Sequence, residues 1–69
     1  MRPNGAAIRY IRRAQMLSLR SLSEQTGLDR GYLSRLERGH IRRAGDNNVL
    51  AIAAAMRVPL SAITHEEMT

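Results

Sequence analysis

The sequence predicts a compact all-α domain of five helices, and three observations carry that expectation. Apolar residues recur at i, i+3, i+4 and i+7 in one segment after another. Period-two alternation is scarce, and no run of β-branched residues reads as a strand. Glycines and capping residues fall between the apolar segments, where helices stop and start. With 69 residues, the chain is expected to form one domain over 1–69. A chain this short buries only roughly 60% of its unfolded surface, so its stability is marginal unless it is compact or oligomeric.

The first helix is expected over 5–16, with Ala7, Ile8, Ile11 and Ala14 on one stripe and Arg9 and Arg13 opposite. Ser18 suits the N-cap of a second helix, 19–26, because its hydroxyl can accept from the free amides of the first turn. Leu19, Leu22, Ser23 and Thr26 keep the helical spacing, and Gly27 ends the segment in the left-handed conformation that glycine adopts cheaply. Asp29 suits the cap of a third helix, 30–38, and favours the positive end of its dipole. Tyr32, Leu33 and Leu36 form its inner face, and Gly39 stops it. A basic connection without periodicity follows, "HIRRAG", residues 40–45. Asp46 is expected to cap a fourth helix, 46–56, with Val49, Ile52, Ala53 and Met56 inward. Pro59 fits the first turn of a last short helix, 60–65, with Leu60 and Ile63 inward. Two short helices joined at a glycine, the second exposing arginines, make a helix-turn-helix.

Charge points to the partner. The formal net charge is +5, and all 11 basic residues are arginine. GC-rich coding accounts for arginine in place of lysine, but not for the surplus of positive charge. A small basic domain calls for a polyanion, with nucleic acid first and a membrane surface as the rival. The longest apolar run, residues 49–56, is too short to span a bilayer, and the charged N-terminus has no signal-peptide core. Without cysteine there is neither a disulfide framework nor a thiolate metal site, and a cytoplasmic location is expected.

Catalysis is not expected. His40 and His65 have no carboxylate or cysteine at ligand spacing, so no metal is implied. Serines are plentiful, but so small a domain has little means to order a nucleophile, a base and an oxyanion hole. No cofactor or small-molecule ligand is evident. Tyr10 and Tyr32 are the only aromatic residues, too few for a stacking platform, which favours duplex DNA over single strands.

Beyond pattern, "LSLRSLSEQTGLDRGYLSRLERG" resembles the helix-turn-helix of the Cro and phage-repressor type, the XRE-like family of five-helix, lambda-repressor-like regulators. The resemblance covers about residues 5–65, and "TGLDRGYLSRLERG" followed by an apolar fourth helix and "VPLSAI" is its strongest part. It implies a transcriptional regulator that binds double-stranded DNA, with the segment from Arg30 to Arg38 lying in the major groove. Arg30, Gly31, Ser34 and Arg35 match positions that face bases or flanking phosphates. It further implies an internal salt bridge between Arg12 and Glu37, a phosphate at the amide end near Ser18 and Leu19, and a backbone contact along Arg42 and Arg43. Two positions depart from the family, which often ends its first and fourth helices on glycine where this chain has Met16 and Arg57.

The residues support several of these roles on physical grounds. Arg35 points away from Leu33, and a groove arginine can hold guanine O6 and N7 together. Arg30, in the first turn, suits a phosphate, and Ser34 is small and polar on the same face. Tyr32 could bond a phosphate while its ring packs on the second helix. Arg42 and Arg43 suit phosphates, which give affinity without sequence information. Ordinary solvated side chains are the plain alternative at each position. Gly31 removes bulk at the helix end expected to lie nearest the DNA. One such helix reads few base pairs, so a homodimer is expected, with Leu60, Ile63 and Met68 as candidate contacts. The rival function is a protein-interaction module of the same fold, whether antitoxin, anti-repressor or adaptor.

Overall fold

Four α-helices and one 3-10 turn make up the regular structure of the computed structural model, which describes residues 1–65. They are α1 (Gly5–Ala14), α2 (Leu19–Thr26), α3 (Arg30–Glu37), α4 (Asp46–Met56) and the turn Leu60–Ala62. The all-α class holds, but the fifth element is one 3-10 turn and not a helix over 60–65. Its extension is prevented by pairing with the N-terminus. Asn4 N donates to Ile63 O, His65 N donates to Arg2 O, and Pro3 and Thr64 form an antiparallel bridge. Residues 63–65 thereby leave the helical path, with Ile63 in a bend and Thr64 in the bridge.

The core follows the apolar stripes. Ile8, Leu22, Leu33, Leu36, Val49, Ile52, Met56 and Ile63 are fully enclosed. α2 packs on both α3 and α4, while α1 packs on α3. Gly5 allows that last approach, since a Cβ there would collide with the carbonyl of Leu36 and lie 2.9 Å from that of Glu37. Ala14, the last residue of α1, is exposed and not part of the buried stripe.

Three helices end in the same way. In α1, Leu17 N reaches Arg12 O and Met16 N reaches Arg13 O. His40 and Gly39 repeat the pattern on Arg35 and Leu36, and Val58 and Arg57 repeat it on Ala53 and Ala54. This is the Schellman closure, which places one residue in the left-handed region. Only α3 uses glycine there, Gly39 at φ 80°, whereas Met16 has φ 56° and Arg57 has φ 57°. The first helix therefore stops at Ala14, two residues short of the expected end, and the chain carries strain at two side chains. Gln15 ties the strained ends together, its Nε2 donating to Met56 O at 2.7 Å.

Helix starts also differ in detail from expectation. Asn4, not singled out in the sequence, caps α1 through Oδ1 to Ala7 N at 3.1 Å. Asp46 is the first residue of α4 and not its cap, which is Gly45. Its carboxylate instead lies 3.3 Å from the Met1 nitrogen. Pro59 likewise occupies the capping position before the 3-10 turn and not its first residue.

One buried ion pair joins α1 to α3. Arg12 Nε donates to Glu37 Oε2 at 2.7 Å, and Nη2 donates to Oε1 at 3.1 Å. Nη1 of the same guanidinium donates to Leu17 O at 2.7 Å. Both residues are under 10% exposed, at 9% and 8%. Removing one partner strands the other charge away from water, which costs about 3–5 kcal/mol. Glu37→Ala is therefore expected to lower the thermal midpoint sharply, as followed by helical circular dichroism. An unchanged midpoint would rule out the structural role.

The strained ends make the opposite prediction. A non-glycine residue in the left-handed region costs about 1–2 kcal/mol, part of which glycine returns through its floppier unfolded chain. Met16 is 94% exposed, so Met16→Gly removes strain with no loss of packing. Urea denaturation should show a gain of up to about 1 kcal/mol, whereas a loss would mean that the methionine contributes a contact in the folded state.

Candidate nucleic-acid interface

The turn between α2 and α3 is fixed by side chains that the sequence pattern assigns to an apolar stripe. Gly27, at φ 74°, closes α2 by donating to Ser23 O. Ser23 Oγ then donates to Leu28 O at 2.5 Å. Thr26 Oγ1 donates to Leu22 O at 2.7 Å and accepts from Leu28 N at 3.2 Å. Every hydroxyl at this corner thus holds backbone. Asp29 starts α3, its Oδ2 accepting from Tyr32 N at 3.2 Å.

From that fixed start, α3 buries Leu33, Leu36 and Glu37. Helical geometry, at about 100° per residue, places Arg30, Gly31, Ser34, Arg35 and Arg38 within one outward arc of about 140°. Arg30, Gly31, Arg35 and Arg38 are exposed and Ser34 is half-buried. Tyr32 flanks the arc, half-buried, and its Oη accepts from Asn48 Nδ2 of α4 at 3.3 Å. Sequence reasoning passed over Asn48, whose relation to Tyr32 is a tertiary contact without a local signal.

Gly31 has a close neighbour. A Cβ there would lie 2.9 Å from Asp29 Oδ2 and 3.7 Å from Arg35 Nη1. The glycine therefore leaves room for the capping carboxylate as well as for an approaching ligand. A side chain would make the capping carboxylate shift.

The remaining expected residues fall in two places. Arg42 and Arg43 are exposed on the connection after α3, which half-buried Ile41 and buried Ala44 pin to the body. With Arg38 they line one concavity at the C-terminal end of α3. Ser18 caps α2, its Oγ accepting from Ser21 N at 3.0 Å, and half-buried Leu19 follows it. Arg12 and Glu37 lie beneath α3 in the pair described above.

Charge is distributed unevenly over this surface. Among the described residues there are four acids, and each has an assigned position. Glu24 pairs with Arg20 at 3.4 Å, Asp29 caps α3, Glu37 binds Arg12, and Asp46 faces the Met1 nitrogen. None is a residue of the outward arc of α3, and the exposed Asp29 carboxylate borders it at Gly31. A helical face whose own charged residues are three arginines attracts a polyanion. No helix among the described residues is long and apolar enough to cross a membrane, and no group of three or more potential metal-ligating residues occurs among them.

Comparison with known proteins agrees with this geometry. The family model described as helix-turn-helix matches residues 8–63, most of the chain. The chain belongs to the helix-turn-helix family. Solved structures extend the assignment. The restriction-modification controller protein C.AhdI from Aeromonas hydrophila is 34% identical with a TM-score of 0.78, over 84% of this chain and 86% of that one. The clp gene regulator ClgR from C. glutamicum is 32% identical with a TM-score of 0.75, over 83% and 73%. SinR, a master regulator for biofilm formation solved in complex with DNA, is 27% identical with a TM-score of 0.77, over 81% and 89%. No curated relative matches the chain. The likeness to the Cro and phage-repressor type holds, and this helix-turn-helix protein is a DNA-binding regulator of transcription.

Proposed function

We propose that the protein binds double-stranded DNA sequence-specifically, with α3 in the major groove. The observation that carries this reading is the arginine-bearing arc of Arg30, Gly31, Ser34, Arg35 and Arg38, held on a helix whose start and underside are both fixed. Arg35, at the middle of α3, reads a base edge, and a bidentate arginine–guanine contact gives roughly 1–3 kcal/mol of discrimination. Arg30, Arg38, Arg42 and Arg43 hold phosphates, which set register and supply affinity. Tyr32, its oxygen already accepting from Asn48, has its hydroxyl hydrogen left to donate to a phosphate. The first-turn amides after Ser18 and Leu19 supply another phosphate site. The described residues form one DNA-binding unit, which acts in the cytoplasm.

The test compares two variants on a duplex recovered from a random pool by the parent protein and on a scrambled one. Arg35→Ala is expected to narrow the gap between the two duplexes. Arg42→Ala should weaken both alike and lower the salt-dependence slope by about one. If both variants bind like the parent, α3 is not the reading helix and the interaction-module alternative takes its place.

One helix reads too few base pairs for useful selectivity, so the active form on DNA is a homodimer with half-sites roughly 34–36 Å apart. Of the contacts expected for it, Ile63 must be withdrawn, since it is fully buried in the core. Leu60 is half-buried, and Met68 lies outside the described residues. Leu50, 48% exposed on the outer side of α4, is a better candidate than Ile63. Sedimentation equilibrium on the recovered duplex should give two chains per site, and one chain per site would reject the dimer.

A further inference from the structure

The concavity at the end of α3 has a wall that belongs to none of the helices. Residues 1–4 form an extended strap along it. Ala44 N donates to Met1 O at 3.0 Å, and the Met1 nitrogen donates back to Ala44 O at 3.1 Å. On its other edge the strap pairs with residues 63–65, through Asn4 N to Ile63 O and His65 N to Arg2 O. Pro3, buried between these edges, has no N–H to leave unsatisfied. The strap thus fixes the backbone of Arg2 against the end of the loop that carries Arg42 and Arg43.

The resulting space, about 840 Å³, is lined by Arg2, Arg38, Arg42, Arg43 and His65. Among the described residues its one carboxylate, Glu37, has both oxygens engaged by Arg12. Arg38 ends the outward arc of α3 and begins this wall, so the cationic surface runs unbroken from the reading helix to the strap. The side chain of Arg2 is exposed at its far edge.

We propose that Arg2 holds a DNA phosphate and that the N-terminal strap is part of the DNA-binding surface. This rests on the reading of α3 and its loop as the DNA contact. The occupant follows from charge and continuity: a DNA strand that meets Arg38 and Arg42 is a row of phosphates that continues past them. Arg2 carries no sequence information, because it meets backbone and not base edges.

The test measures binding of the full chain to the recovered and scrambled duplexes across salt concentration, for the parent, Arg2→Ala, Arg2→Lys and Arg42→Ala. Thermal melting accompanies each protein. Arg2→Ala is expected to weaken both duplexes by the same factor and to lower the salt slope by about one, with the melting midpoint unchanged. Arg2→Lys should restore the parental slope, because a phosphate accepts a point charge. A parental slope in Arg2→Ala, alongside a lowered slope in Arg42→Ala, would overturn the role of the strap and leave the α3 reading standing. A parental slope in both would overturn the two together. Should Arg2→Ala melt early, Arg2→Lys decides: a parental midpoint with a lowered slope counts against the proposal, and a parental slope supports it.

Discussion

The arrangement of this small domain depends on one buried fork, the guanidinium of Arg12 closed on both oxygens of Glu37. Glu37 is the last residue of α3, and its neighbours Leu33 and Leu36 face the core. The pair therefore acts at the end of α3 opposite to the cap at Asp29. Arg12 also binds the carbonyl of Leu17, one residue before the cap of α2. A single side chain thus connects the end of α1, the approach to α2 and the end of α3. Replacing such a pair by apolar groups need not weaken a fold, but breaking half of it leaves a charge without water or partner. Here the pair ties the end of α3 to α1.

Orientation matters because α3 presents charge on one side only. Carboxylates on the outward arc would have cancelled the arginines at close range. They lie elsewhere: one in the fork, one at a helix start, one beside the N-terminal nitrogen and one paired with Arg20 on α2. The Arg20–Glu24 pair is exposed at both partners and contributes little to stability. Its effect is on the field, since it neutralises a cation away from α3. Arg30, Arg35, Arg38, Arg42 and Arg43 lie at α3 and the loop that follows, while Arg9, Arg13 and Arg57 are exposed elsewhere.

What was legible in the sequence was local. The caps at Ser18 and Asp29, the stops at Gly27 and Gly39 and the apolar stripes all act within a few residues, and their spacing shows them. What was missed crosses the chain. Gln15 and Met56 meet over 41 residues, and Met1 and Ala44 over 43, by contacts that no periodicity announces. The lost fifth helix has the same cause, because strand-like pairing with the N-terminus competes for residues 63–65 and prevails over local propensity. Serine and threonine at helical spacing do more than the spacing shows. Ser23 and Thr26 fit a half-buried stripe, yet their hydroxyls are spent on the backbone of the turn. A short polar side chain near a helix end bonds backbone more readily than it fills a core.

Gly31 shows how the local and the tertiary requirements meet. Glycine in a helix interior costs about 1 kcal/mol relative to alanine, less in a first turn. Alanine would recover that cost, but its Cβ would lie 2.9 Å from the carboxylate that caps the same helix. Losing a cap costs about 0.5–2 kcal/mol, so the exchange gives no clear gain in stability. Stability alone therefore does not select between the two residues. The guanidinium of Arg35 lies one turn on, its Nη1 at ordinary contact distance, 3.7 Å, from a Cβ at this position. A longer side chain would share that space. A bare backbone at Gly31 keeps both the cap and the central arginine of the arc where the rest of the fold directs them.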